Sequence, residues 1–351
     1  MDARTGRRAD DSPPYRVSLV EPGEIAAALP LLLGFRPRES VLLVSLTGPR
    51  GVRVGLTVRA DIPPPEHAAE LAGQLAQRVR TDGPAAVLLV VVSEAPDDAD
   101  PDPELPHRAL VHELTLALHR DRLPVRDALL VRAGRWWSYD CPSACCRPQR
   151  GTPLPEGISE LAVASIAAGV VVADSREELA ARIAPRPGDM GAVARRVAAE
   201  AAARLQELGV DAMAEESWTA IQAGVAHARE GTALSDRALA RILWGLRDIP
   251  VRDRALQLAL DEDPAVDSLW TECVRRAPRR YVPAPATLLA VGAWLRGDGA
   301  MAGVALERAL GADRTYRLAV LLRQGLTSCV PPDQLRSILI GGAADEVLPG
   351  A

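Results

Sequence analysis

Ala86-Val87-Leu88-Leu89-Val90-Val91-Val92 is the stretch on which the fold turns. It is continuously apolar and rich in β-branched residues, the signature of a strand buried on both faces. Such a strand needs partners on either side and helices above and below. Upstream, Glu66 to Arg80 has helical spacing, with Leu71, Leu75 and Val79 on one face. Downstream, His107 to Asp121 reads as a helix and Val125 to Arg132 as the next strand. Further upstream, a helix over Pro22 to Leu33 leads through Gly34 to a strand from Ser40 to Leu46. Thr47-Gly48-Pro49-Arg50-Gly51 is turn chemistry, and Val52 to Ala60 alternates as a second strand, so the two form an antiparallel hairpin. Strands alternating with helices after a hairpin predict a mixed, partly parallel sheet with covering helices.

The pattern changes in the second half. Ile158 to Ala168 reads as a helix, and Ser175-Arg176-Glu177-Glu178 is a capping box that starts another. After Pro185-Arg186-Pro187-Gly188 helical segments alone follow, over 189–208, 214–230, 235–247, 251–261, 265–276, 285–296, 299–310 and 315–325. The short loops predict antiparallel neighbours. The hairpin 285–313 faintly resembles a tetratricopeptide unit, with Ala290, Ala293, Gly297, Ala302, Leu306 and Ala309 near that motif's small and apolar positions. The expected organisation is a tail over 1–14, a mixed α/β domain over 15–184, a linker at 185–188, an all-α helical-hairpin, tetratricopeptide-like domain over 189–340, and a tail over 341–351.

Composition narrows the function classes. The chain has 351 residues, 48% hydrophobic and 25% charged, as a soluble globular protein of two domains would. Every basic residue is arginine or histidine, since there is no lysine. Arginine clusters therefore carry less information than usual, and lysine-dependent chemistry, phosphate loop or Schiff base, is excluded. The net charge of −5 argues against a nucleic-acid binder reliant on global positive charge. The first residues hold no apolar signal core, and the longest apolar run, 161–173, is too short to span a bilayer. The expectation is a cytoplasmic protein with reduced thiols.

Candidate chemistry concentrates in Arg135-Trp136-Trp137-Ser138-Tyr139-Asp140-Cys141-Pro142-Ser143-Ala144-Cys145-Cys146, which holds three of the five cysteines. Cys141 and Cys145 have the spacing of a zinc-ligand pair, whereas adjacent Cys145 and Cys146 diverge unless the backbone turns sharply. A fourth ligand would come from His107, His112, His119 or Cys273. The same thiols also read as small hydrophobes under the tryptophans, or as a redox pair. Trp136 and Trp137 stand where strand gives way to loop, so one faces the core and the other is exposed, able to stack a ligand or a partner's side chain, with a lid over the sheet edge as the plainer reading. Arg36 and Arg38 at the mouth of the first strand suit a phosphate or carboxylate, with ion pairing as the plainer reading. Arg275 to Tyr281 reads as a solvated helix end. Glu94, Asp97, Asp98, Asp100, Asp102 and Glu104 follow the buried strand, but interleaved prolines favour a solvated loop over a cation cage.

Leu31 to Val44, Arg59-Ala60-Asp61-Ile62-Pro63, Arg135 to Cys141 with Cys145-Cys146, and Leu295-Arg296-Gly297-Asp298-Gly299-Ala300 together resemble the actinobacterial proteins grouped as domain of unknown function family 4192. The likeness runs from about Val17 to about Gln324. It implies an actinobacterial cytoplasmic protein and supplies no activity, ligand or catalytic residue. Arg147 stands where the family often has proline. The residues themselves favour a non-enzymatic regulatory or adaptor protein that binds a protein partner through its helical domain, the cysteine loop being a structural knot that could also take zinc. The alternative is a metal-dependent hydrolase or nucleic-acid-processing enzyme using Asp61 and the acidic loop.

Overall fold

The computed structural model describes residues 21–48, 53–97, 104–155, 171–188 and 190–345. The expected N-terminal tail, the helix at 158–168, the tip of the first hairpin and Asp98, Asp100 and Asp102 lie outside the described residues. The chain divides into two compact units. The first reaches to Leu32 and resumes from Arg38 to Val171, while the second takes Leu33–Pro37 and continues from Val172. Pro185–Gly188 thus falls inside the second unit. Backbone pairing explains the placement of the short strip. Gly34 takes a φ of 72°, and Phe35 then bridges to Ala173, with Arg36 N–H donating to Ala173 O at 2.9 Å and Ala173 N–H to Gly34 O at 2.9 Å.

The first unit contains α1 (Pro22–Leu33), β1 (Ser40–Thr47), β2 (Arg53–Asp61), α2 (Ala68–Arg80), β3 (Ala86–Val92), α3 (Arg108–Arg120), β4 (Val125–Arg132), β5 (Arg135–Ser138) and β6 (Thr152–Pro153). These strands form one six-stranded sheet in the order β2-β1-β3-β4-β5-β6. Only β3 and β4 run parallel, joined through α3, and every other pair is antiparallel. The sheet is mixed, as the sequence implied. Val87 to Val91 and Val41 to Val44 are 0% exposed, because β1 and β3 have a strand on each side and are covered on both faces. Helix α2 buries Ala72, Leu75, Ala76 and Val79, and α3 buries Leu110, Val111, Leu114 and Leu118. Edge strand β2 keeps the alternating exposure of a half-solvated strand.

Strands β5 and β6 were not expected. The chain reverses after β4 through Ala133-Gly134, whose φ values of 47° and 71° are those of a two-residue hairpin turn. Trp136 and Trp137 therefore lie on a strand, paired with Val131 and Leu130, rather than at its exit.

The second unit is helical among its described residues: α4 (Arg176–Ala181), α5 (Met190–Leu208), α6 (Val210–Arg229), α7 (Asp236–Gly245), α8 (Ile249–Leu256), α9 (Pro264–Arg276), α10 (Pro283–Leu295), α11 (Gly299–Ala312), α12 (Arg317–Thr327) and α13 (Pro332–Asp345). Ser175 caps α4 as the sequence motif requires, its hydroxyl accepting from Glu178 N–H at 3.2 Å. Helix α10 is apolar all round and buries every position except Ala284, which makes it the centre of this unit. Helix α13 was not read from the sequence. It opens on Pro332, which suits a first helical position, but its Gly341-Gly342 pair weakens the periodic signal.

Candidate metal centre

The site begins with the β4–β5 hairpin, which presents Arg135 and Trp137 to the residues that follow. Arg135 donates to Arg150 O at 2.7 Å and Gly151 O at 2.9 Å, and Trp137 Nε1–H donates to Arg147 O at 3.1 Å. The chain leaving β5 is thereby folded back over Trp137. Gly151 closes the loop at a φ of 60°, and a Cβ there would collide with the Trp137 ring. Trp137 is 3% exposed and Trp136 is half-buried, so the strand divides them between core and rim as alternation demands. The Arg132 guanidinium lies 5.0 Å from the Trp137 ring centroid, donates to Ala95 O at 2.9 Å and forms an ion pair with Asp97.

Within this folded loop Ala144–Cys146 forms a 3-10 turn, with Cys146 N–H bonded to Ser143 O at 3.0 Å. That is the sharp turn adjacent cysteines need. It sets the Cys145 and Cys146 sulfurs 3.9 Å apart, and all three sulfurs lie within 4.8 Å of one another. Zinc–sulfur bonds of about 2.3 Å in a tetrahedron place sulfurs roughly 3.8 Å apart. The thiol cluster already has nearly that spacing.

The three thiols differ in environment. Cys141 is half-buried, Cys145 exposed and Cys146 buried. Hydrogen bonds from the Ser143 backbone and hydroxyl hold the Cys141 thiol below its ordinary range. Burial pushes the Cys146 thiol up to about 12, although its sulfur accepts the Ser138 N–H at 3.3 Å. A cation would reverse that preference, because a coordinated thiol is deprotonated. Among the described residues this is the one group of three or more His, Cys, Asp or Glu side chains gathered closely enough to hold an ion. A cavity of about 230 Å³ opens beside it, with Cys141, Cys146, Glu104, Arg108 and Tyr139 on its wall.

The other sequence candidates do not converge. Asp61 pairs with Arg59 at 2.6 Å, Asp97 with Arg132, and Glu104 with Arg108 at 2.9 Å, so the described carboxylates are taken up one by one. Arg36 forms an exposed pair with Asp174 at 3.5 Å in the second unit, while Arg38 belongs to the first. His112 and His119 are exposed on α3, and Cys273 is buried on α9 of the second unit. Most of the basic stretch near the end of α9 is taken up locally, although the buried Nε of Arg275 has no hydrogen-bond partner. Arg276 bonds Glu272, Asp236 and Leu234 O, Arg279 reaches Gly311 O at 2.9 Å, and Arg280 lies over Tyr281.

One constellation was not anticipated. At the carboxyl end of β3, Ser93 donates to Glu39 at 2.7 Å, lies 2.9 Å from His107 Nε2 and accepts from Ala95 N–H at 3.1 Å. Glu39 and His107 have φ values of 40° and 61°, unusual for residues with a Cβ. Because the single hydroxyl proton goes to Glu39, the assigned tautomer of His107 is the one protonated at Nε2. Ser93 is 1% exposed and its bonding capacity is used, so the group is a clasp that ties β1, β3 and the start of α3 together.

Fold and site define a two-unit protein, a mixed α/β sheet carrying a thiol cluster and a separate helical unit. The chain belongs to the domain of unknown function family DUF4192, whose model matches residues 22–333. No curated protein matches it, and no solved structure does. Among the described residues, no helix is long and apolar enough to cross a membrane.

Proposed function

We propose that this is a non-enzymatic regulatory or adaptor protein of the cytoplasm, in which Cys141, Cys145 and Cys146 hold a zinc ion and the helical unit meets a protein partner. The convergence of three sulfurs within 4.8 Å carries the reading. Cysteines used only as small hydrophobes have no reason to point at one another, and here one sulfur is exposed. Zinc would fix a loop that has little regular structure of its own and is otherwise tied by Arg135 and Trp137.

The partner-binding part draws support from the helical unit. Consecutive short-linked helices such as α10 and α11, joined through Gly297 and Asp298, suit stacked tetratricopeptide-like hairpins. Leu321, Ile338 and Ile340 on its last two helices are more than half exposed, at 61%, 59% and 54%. The hydrolase alternative has less behind it, since the carboxylates it requires are engaged separately by arginines.

Elemental mass spectrometry of untagged protein purified without chelator tests the metal reading. About one zinc per chain is expected, lost in Cys145→Ser. Absence of zinc, or full retention in the variant, would overturn it.

A further inference from the structure

We propose that hydrogen peroxide joins Cys141 to Cys145 in a disulfide and so discharges the zinc, making this centre a reversible redox switch; the discharge rests on the metal reading above. The three sulfurs lie within 4.8 Å of one another, and among the described residues no carboxylate or imidazole joins them. Sulfurs gathered so closely can serve a metal or a covalent bond, because both uses need the same convergence. The three are not equivalent partners. Cys145 is exposed, so an oxidant arriving from solvent reaches it first. Cys146 is 8% exposed, and its sulfur accepts the Ser138 N–H at 3.3 Å. Pairing Cys145 with Cys146 is also poor in geometry. Adjacent Cα atoms stand about 3.8 Å apart across a trans peptide, short of the roughly 4.4–6.8 Å of ordinary disulfides. Cys141, half-buried and separated from Cys145 by Pro142-Ser143-Ala144, has no such restriction. Side-chain rotation, with a small adjustment of that connection, closes a gap of at most 4.8 Å to a bond.

On the metal the sulfurs are thiolates, the form that reacts. The Cys145 sulfur attacks one peroxide oxygen, the O–O bond breaks and hydroxide leaves, giving a sulfenic acid. The Cys141 sulfur then attacks the Cys145 sulfur, the S–O bond breaks and a second hydroxide leaves. Two electrons pass from the sulfurs to the peroxide, and solvent protons turn both hydroxides into water. The ion keeps Cys146 alone of its three sulfurs and dissociates. Arg135 and Trp137 still hold the loop through Arg147, Arg150 and Gly151, so its frame outlasts the ion. Where thiols are kept reduced, such a disulfide is transient, and glutathione restores the site.

The test uses untagged full-length protein whose zinc is measured beforehand. It is treated with hydrogen peroxide, denatured in N-ethylmaleimide, then reduced and treated with iodoacetamide. Mass spectrometry should place the iodoacetamide label on Cys141 and Cys145 and the maleimide on Cys146 and Cys273. Zinc should fall from about one per chain towards none. Reduced glutathione added before denaturation should return the maleimide label to Cys141 and Cys145. In Cys141→Ser, peroxide should form no disulfide in the loop and carry Cys145 on to sulfinic acid. Zinc-loaded wild type in which peroxide makes no Cys141–Cys145 bond would overturn the switch and leave the metal reading standing. Untreated protein without zinc would remove the metal reading, and the discharge with it.

Discussion

Cys146 and Cys273 are both buried thiols, 8% and 0% exposed, and burial pushes both pKa values up. Their surroundings differ in kind. Cys273 sits on α9 among Leu269, Trp270 and Val274, all buried, and is a small hydrophobe in a packed helix. Cys146 sits on a 3-10 turn, accepts a backbone N–H and stands 3.9 Å from a second sulfur. Burial therefore does not tell a ligand from a packing residue. Convergence does, and it requires a segment shaped by polar contacts rather than by periodic packing. The same contrast separates the loop after β5, held by Arg135 and Trp137, from the α9–α10 pair, held by apolar contact.

The sharpest way to break the comparison is to cut each region at its own anchor. Trp270 is 1% exposed, and Trp270→Ala should lower stability by about 3–5 kcal/mol in chemical denaturation while zinc per folded chain stays unchanged. Loss of zinc in that variant would mean the packed unit and the loop are one cooperative structure. Next in size is Gly151→Ala. A left-handed residue gaining a Cβ costs about 1–2 kcal/mol, and forcing that Cβ against Trp137 adds roughly 1–3. Here zinc affinity should fall together with stability, because Gly151 shapes the loop that positions the sulfurs. A destabilised variant with wild-type affinity would separate the two effects.

These two regions also differ in how much the sequence disclosed. Ala86–Val92 announced a central strand because no polar residue interrupts it, and the structure leaves Val87 to Val91 fully buried. β5 stayed hidden because its turn, Ala133-Gly134, lacks the asparagine or aspartate that marks a two-residue hairpin, leaving one glycine as the signal. The three cysteines were visible as a cluster, but whether neighbours could converge depended on a 3-10 turn that composition does not encode. The clasp of Glu39, Ser93 and His107 was illegible for a plainer reason. Its members are 54 and 14 residues apart, and only the pairing of β1 with β3 brings them together.

The smallest effect tests whether burial in the helical unit is purely a matter of stability. Asp298 caps α11, its carboxylate accepting Met301 N–H at 2.9 Å. Burial pushes its pKa up, the Met301 hydrogen bond and then Arg296 and Arg182 draw it down, and the net shift is upward. Asp267 nearby is also raised by burial, with Arg296 as its ion partner. A carboxyl whose folded pKa exceeds its unfolded value, about 3.9, binds its proton more tightly when folded. Its contribution is thus fully present below the unfolded value and is lost as pH rises through the folded one. Asp298→Asn keeps a cap of equal rank but no titrating group. The variant should therefore gain on the wild type as pH rises from about 3 to 7, by less than about 1 kcal/mol, in denaturation midpoints measured across that range. A difference that is flat with pH would show that the cap is solvated enough to titrate alike in both states. A difference of opposite slope would make the Met301 and arginine contacts dominant over burial, and Asp298 would then belong with the polar-held loop rather than with the packed helices.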